Sequence, residues 1–245
     1  MGLNDTIYQL DKYLLIIFIL LSLKMIAADN EIYVDQSGAT ANIDLEQLGS
    51  GNIIGGASAI AGTMTSLNLN GTSLTLDINQ IGNTNKFLGD IYADNYTGFF
   101  EFTGDTNTFN MQTDPTNTYG ADSSDVNVQV TGSGNTFTLN HSVAALASTL
   151  DLDWTIQGSN NTITASIDYD SATNFMDIDG SDNTVTFDAD GFAGGYFYLD
   201  HTGGSRTFNI QQQSTLDNDW LQINSTGSSG TVCVIQNDQG TSTGC

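Results

Sequence analysis

The phrase "MDIDGSDNTVTFDADG", residues Met176 to Gly191, alternates apolar and polar side chains on both sides of a Gly-Ser-Asp-Asn turn. Two similar phrases, "VQVTGSGNTFTL" (128–139) and "WTIQGSNNTITA" (154–165), have the same arrangement. A period of two is typical of a strand with one buried face. Glycine adopts positive φ without steric cost, and Asn tolerates it better than most residues, so Gly-x-x-Asn predicts a turn between two strands.

The turn phrase recurs along most of the chain. Its opening glycines are separated by steps of 22, 28, 26, 22, 23 and 24 residues, and they are Gly82, Gly104, Gly132, Gly158, Gly180, Gly203 and Gly227. Nearer the N-terminus, Gly38 and Gly49 are 11 residues apart, as are Gly71 and Gly82. A nearly constant step favours stacked units, because similar units stack into parallel, in-register ladders. The segments "DPTNTYGADSSD" (114–125) and "HSVAALASTL" (141–150) are predicted to be insertions.

These patterns predict an all-β fold, a repetitive β-solenoid of stacked two-strand β-arches with about 8–10 coils. An antiparallel β-meander or sandwich is the alternative, since it also has short strands at regular spacing. The turn residues are predicted to form a structural ladder along the axis, as stacked Asn side chains do in cross-β assemblies. From the turn pattern this ladder includes Gly104, Asn107, Gly132, Asn135, Gly158, Asn161, Gly180 and Asn183.

The charge balance excludes several classes of partner. Asp and Glu number 28 against 4 Lys and Arg, a formal net charge of −24. A nucleic-acid binder needs a basic surface, and an anionic membrane would repel this chain, so neither partner is predicted for the mature protein. End-to-end self-association is predicted instead, because open solenoid ends are unpaired edges. A surface glycan is a further candidate partner, with Tyr96, Phe192 or Tyr196 stacking on sugar rings.

Both termini carry signs of export. The apolar run "YLLIIFILLSL" (13–23) follows Lys12 and precedes Ala27-Ala28, which predicts a secretion signal in residues 1–28. An uncleaved N-terminal anchor is the alternative, and residues 29–245 are predicted to form a single repetitive β-domain. The mature chain is therefore expected to be secreted, extracellular or at the cell surface. In such a protein Cys233 and Cys245 are predicted to form a disulfide, which would contribute about 2–3 kcal/mol of stability.

The chain offers little catalytic chemistry. Its two histidines accompany no recognisable nucleophile arrangement, and no phosphate-binding loop is present, so we predict neither an enzyme nor a cofactor. Carboxylates do recur at alternate positions, in Asp151 and Asp153, in Asp168 and Asp170, in Asp177, Asp179 and Asp182, and in Asp188 and Asp190. Solubility explains these acids most simply. Calcium binding remains an alternative, as does a polysaccharide-active parallel β-helix enzyme that uses paired carboxylates.

The N-terminal turn phrases resemble curlin repeats. The matching letters are "QSG" (36–38), "QLGSGN" (47–52) and "QIGNTN" (80–85), whereas the later turns lack the Gln at this spacing. The resemblance implies ladder-forming roles for Gln47, Gly49, Asn52, Gln80, Gly82 and Asn85.

For function, the resemblance implies an exported subunit of an extracellular fibre or biofilm matrix that assembles by strand stacking. A phage virion appendage, or a cell-surface adhesin that binds glycans without polymerising, is the alternative.

Overall fold

The computed structural model describes residues 30–49, 52–57, 64–82, 84–114, 123–141, 149–168, 171–191, 194–214 and 219–237. Within these ranges the chain forms strands and turns without a helix. The predicted signal (1–28) and Cys245 lie outside the described residues. A helix long and apolar enough to cross a membrane does not occur in the described part of the chain.

The strands are, in chain order, β1 (Glu31–Ile32), β2 (Asp35–Ser37), β3 (Thr40–Leu48), β4 (Ile53–Ile54), β5 (Gly56–Ala57), β6 (Met64–Thr65), β7 (Leu67–Ile81), β8 (Lys86–Thr103), β9 (Thr108–Thr113), β10 (Ser123–Thr131), β11 (Thr136–His141), β12 (Thr149–Gln157), β13 (Thr162–Asp168), β14 (Ala172–Asp179), β15 (Asn183–Gly191), β16 (Tyr196–Thr202), β17 (Arg206–Ser214), β18 (Trp220–Thr226) and β19 (Gly230–Asn237).

From β10 onward, strands pair with the strands two positions before and after them in the chain and not with their chain neighbours. Thus β10 pairs with β12 and β11 pairs with β13, in parallel and in register. The antiparallel pairing among the described residues is the short β5–β6 pair. This connectivity confirms the predicted solenoid of stacked arches and rules out the antiparallel meander or sandwich.

The parallel pairs form two facing sheets. Sheet A contains β3, the C-terminal parts of β7 and β8, and then β10, β12, β14, β16 and β18. Sheet B contains β1 and β2, then β4 and the N-terminal part of β7, then the N-terminal part of β8, and then β9, β11, β13, β15, β17 and β19.

The core lies between the two sheets and is built from the inward alternates. The predicted inward residues Val128, Trp154, Ile163, Ile178 and Val185 are all buried, which confirms the period-two interpretation. Aromatic rings join the sheets. The ring of Phe109 in sheet B lies 5.3 Å from Phe100 and 6.3 Å from Trp154 in sheet A, measured between centroids. Burial of large side chains in this row is the main source of stability for such a narrow fold.

Strands β7 and β8 each turn a corner without breaking. At Thr72 and Ser73, and again at Asp94 and Asn95, two consecutive side chains face outward, and the inward phase changes. In later coils the chain leaves the sheets at the same corner. Both predicted insertions fall there, between β9 and β10 and between β11 and β12, so they lengthen the step to 28 and 26 residues without disturbing the registers.

In sheet A the described strands stack eight deep, which agrees with the lower limit of the predicted 8–10 coils. Near the N-terminus, two glycine turns belong to one coil: the first corner leads from sheet A to sheet B, and the second corner leads from sheet B back to sheet A. Gly38 and Gly71 occupy the second corner, and Gly38 donates its N–H to the carbonyl of Asn70 at 3.0 Å. Gly49 and Gly82 occupy the first corner, so the 11-residue step is the distance between two corners.

Candidate functional site

The turn asparagines form a buried line along the first corner. From Asn107 onward, each side-chain oxygen accepts a hydrogen bond from the backbone N–H of the Asn one coil earlier, at 2.8 Å from Asn107 to Asn135 and 3.1 Å from Asn135 to Asn161. The amide nitrogen of Asn135 donates to Gly132 O within its own turn, at 2.7 Å. One side chain therefore satisfies backbone groups in two coils. The other buried members of the line are Asn52, Asn85 and Asn183.

The turn glycines are required by close backbone approach. Gly132 has φ of 142°, and a Cβ atom there would overlap the carbonyl oxygen of Gly104 in the preceding coil. Gly158 and Gly180 repeat this relationship, with φ of 143° and 151°. Any side chain at these positions would separate the coils.

The glutamines of the curlin-like letters lie inside the solenoid. Gln80 donates from Nε2 to Gln47 Oε1 at 2.7 Å, and both side chains are buried. In the following coils the same column continues as Phe102, Val130 and Ile156, all of which face the core. The later turns therefore lack Gln because apolar core residues occupy the positions of the hydrogen-bonded Gln47–Gln80 pair.

Both ends of the core are open in the described residues. The inward columns that are fully buried in the middle begin at Ile32, Ile43 and Leu45, which are only partly buried. They finish at Leu221 and Ile223, also partly buried, and at Val232 and Val234, which are 44% and 42% exposed. A repeat protein normally needs a polar cap at such positions, because an uncovered coil exposes its apolar cross-section.

The two ends differ in charge and share unpaired edges. Residues 220–237 contain no Asp, Glu, Lys or Arg, although the chain carries a net charge of −24. The first coil instead exposes Asp35, Asp44 and Glu46. Within the described residues, β18 pairs only with β16, and β3 pairs only with β7. Each end therefore offers backbone donors and acceptors to a further strand.

A group of aromatic side chains, here called the aromatic cluster, lies on the outer face of sheet A and consists of Phe175, Tyr196, Tyr198 and Trp220. The rings of Tyr196 and Trp220 stack at 4.2 Å with an interplanar angle of 4°, and Phe175 lies 5.5 Å from Tyr196 and 5.6 Å from Tyr198. Phe175 and Trp220 are 40% and 39% exposed. The sequence prediction named only Tyr196 of this group. The missed signal was an aromatic residue at outward alternates of β14, β16 and β18.

The other two aromatics that were predicted to meet sugar rings do not join this cluster. Tyr96 is buried, so the prediction that it is exposed was wrong. It takes an inward position after the corner, where its hydroxyl lies 3.0 Å from Thr113 Oγ1 and 3.4 Å from His141 Nδ1. Burial lowers the pKa of His141 to about 3, with Asp114 acting in the opposite direction, so this imidazole is neutral in the folded protein. Phe192 lies outside the described residues.

The acidic residues that recur at alternate sequence positions face outward where their side chains are described. Asp151 and Asp153 point away from the core of sheet A, as do Asp177 and Asp179. Among the described residues, no group of three or more His, Cys, Asp or Glu side chains could hold a metal ion. Asp170 and the side chains of Asp168 and Asp190 lie outside the described set, so calcium binding stays a prediction for chelation experiments. Cys233 lies half-buried in β19, and its predicted pairing with Cys245 also stays a prediction.

Comparison of the chain with family models, with curated proteins and with solved structures gave no match.

Proposed function

We propose that this chain is an exported structural protein, a subunit of an extracellular fibre or biofilm matrix that grows by end-to-end stacking of strands. The observation that carries the proposal is the pair of open ends. The same inward columns end in Leu221, Ile223 and Val232 and begin in Ile43, Leu45 and Ile32. A second copy placed head to tail continues the sheet A columns with an apolar partner once β1, which lies one layer beyond β3, gives way to β19 of the preceding subunit.

The charges favour head-to-tail contact between unlike ends. Gln222 and Asn224, the outward residues of β18, would lie next to Asp44 and Glu46 of the following subunit. This arrangement brings no two carboxylates together at the contact. Two acidic ends facing each other would place like charges side by side, which is destabilising. Head-to-tail contacts do not close on themselves and therefore generate filaments.

The curlin-like turn letters and the predicted secretion signal support the same class of protein. Both belong to the sequence and are independent of the geometry of the ends.

The test is a charge substitution at the open end. Val234→Asp adds a carboxylate to the uncovered core of the last coil, where the monomer tolerates it because the side chain is partly exposed. Thr131→Asp adds the same charge on the outer face of a middle strand and is the matched control. We expect sedimentation and electron microscopy to detect fibres for the wild type and the control and monomers for Val234→Asp. Wild-type protein that stays monomeric at every concentration contradicts the proposal.

A further inference from the structure

A polar groove and the aromatic cluster form one continuous line on the outer face of sheet A. Successive register partners along this line are Thr97, Asp125, Asp151, Thr173, Tyr196 and Trp220. The polar half is a groove with a volume of about 420 Å³ that crosses strands from β7 to β14. Because neighbouring strands lie about 4.8 Å apart, six strands give a line roughly 24 Å long, parallel to the solenoid axis.

The lining of the groove selects against negative charge. Its side chains supply hydroxyl groups, from Thr97 and Thr173 among others, and the carboxylates of Asp125 and Asp151. The basic residues that the structure describes, Lys86 and Arg206, belong to sheet B. Partial burial, and after it the neighbouring Asp125, raises the pKa of Asp151. A ligand whose hydroxyl groups donate hydrogen bonds to these carboxylates would stabilise their charged form, whereas an anionic ligand would add to the repulsion between negative charges.

The aromatic cluster supplies the apolar part of a ligand site. Exposed aromatic rings next to hydrogen-bond acceptors suit a ligand with apolar C–H faces and polar edges. A second cavity of about 210 Å³ is lined by Phe175 and Tyr198 together with Asp153, Asp177 and Asp200. Phe175 and Tyr198 lie on the outer face, two strands and one strand before the last strand of sheet A, so their exposure is separate from the open end of the core.

We propose that this line is a binding site for a neutral polysaccharide, whose chain lies along the solenoid axis, stacks on the aromatic cluster and donates hydroxyl hydrogen bonds to the groove carboxylates. This inference goes beyond the proposed structural role and does not depend on it. A fibre with this site would repeat it once per subunit, so that weak single contacts add up along the assembly.

The experiment measures binding of neutral hexasaccharides (β-linked glucan, mannan, xylan and N-acetylglucosamine oligomers) and of hexagalacturonate by calorimetry. The full-length chain is used both as wild type and with Val234→Asp, which removes assembly from the measurement. We expect at least one neutral oligomer to bind saturably, with an affinity independent of salt, and hexagalacturonate not to bind. Phe175→Ala and Tyr198→Ala should each weaken binding about tenfold, which corresponds to about 1.4 kcal/mol. Tyr33→Ala removes an exposed ring far along the chain from the cluster and should leave the affinity unchanged.

Three outcomes overturn the proposal: no neutral oligomer binds, hexagalacturonate binds equally well, or both alanine variants keep the wild-type affinity while circular dichroism confirms their fold. Loss of fibres with unchanged sugar affinity in Phe175→Ala would assign the aromatic cluster to subunit contacts instead. Because sugar affinity and fibre formation are measured separately, failure of one proposal is distinguishable from failure of the other.

Discussion

Asn135, in the middle of the asparagine line at the first corner, forms hydrogen bonds with groups in three successive coils. Asn135 accepts from Asn107 N at 2.8 Å and donates to Gly132 O at 2.7 Å and to Asn161 Oδ1 at 3.0 Å. Removing the amide leaves buried backbone groups without partners, and each such group costs about 1–3 kcal/mol.

We therefore expect Asn135→Ala to lower the free energy of unfolding by about 2–5 kcal/mol, because the buried N–H of Asn107 and the part-buried carbonyl of Gly132 both lose their partner. Asn209→Ala is the matched control, since Asn209 faces solvent from β17, and it should change stability by about 0.5 kcal/mol or less. Urea denaturation of the two variants provides the measurement. Equal effects of the two substitutions would show that the buried asparagine line contributes no special stability.

The buried imidazole of His141, at the second corner, is expected to make the folded protein less stable in acid. Burial lowers its folded-state pKa to about 3, below the usual value near 6.5. The unfolded state therefore binds the proton first, so the contribution of His141 to stability is complete above pH 6.5 and is lost as pH falls toward 3. The loss amounts to as much as about 1.4 kcal/mol per pH unit within this window.

The test compares the wild type with His141→Leu across this pH range. The carboxylates of Asp151, Asp153 and Asp177 have raised pKa values and act in the opposite direction, but they are common to both proteins. The unfolding free energy of the wild type minus that of His141→Leu should therefore become smaller as the pH is lowered from 6.5 to 3. A constant difference would mean that the histidine is already protonated or solvated in the folded state.

At the residue scale, sequence reasoning succeeded where a side chain's role follows from its own chemistry. Gly132 and Asn135 announce a turn through conformational preference alone. The inward place of Tyr96 could not be predicted in this way. Its burial depends on the change of phase at Asp94 and Asn95, and a local period-two pattern gives no sign of which run continues inward.

The arches explain how coils of different length share one register. His141 pairs with Ile167, and Leu150 pairs with Ala172, so eight residues (142–149) in one coil occupy the place of four (168–171) in the next. The strands on both sides of this corner keep their partners. The corner is therefore the place where the fold accepts changes of length.

We predict that replacing residues 142–149 with the four residues Asp-Tyr-Asp-Ser of positions 168–171 preserves the fold. Loop-closure entropy changes by only about 0.6 kcal/mol for each doubling of length, so the melting temperature should move by a few degrees at most. The control inserts four residues between Gly132 and Asn135, where hydrogen bonds connect adjacent coils. Loss of cooperative melting in the first variant, or its retention in the control, would contradict this account.

At the element scale, the period of two identified the strands and their buried faces, because alternation is a local property. The same local property does not tell which corner of a coil a glycine turn occupies. Gly38 and Gly49 have the same local chemistry, yet they turn different corners of one coil, and only the pairing of Gly38 with Asn70 reveals this.

For the whole molecule, the decisive feature is that the same inward column is buried in the middle coils and only partly covered in the first and last coils. Ile43 and Leu152 belong to one column and have similar apolar chemistry, but Leu152 is buried and Ile43 is only partly covered. The sequence around Ile43 and Leu152 does not distinguish them. The fold class therefore predicts that open ends exist, but the sequence does not show which strands form them. The absence of charge in residues 220–237 was visible in the sequence and acquires meaning only once β18 and β19 are known to form the last coil.

The most direct test of head-to-tail stacking is a cryo-electron microscopy reconstruction of the assemblies formed by the full-length chain. We predict that β18 of one subunit lies about 4.8 Å from β3 of the next, in parallel, with Leu221 against Ile43 and Ile223 against Leu45. Assemblies in which these ends face solvent would contradict the account, as would a chain that remains monomeric with its ends covered by its own residues.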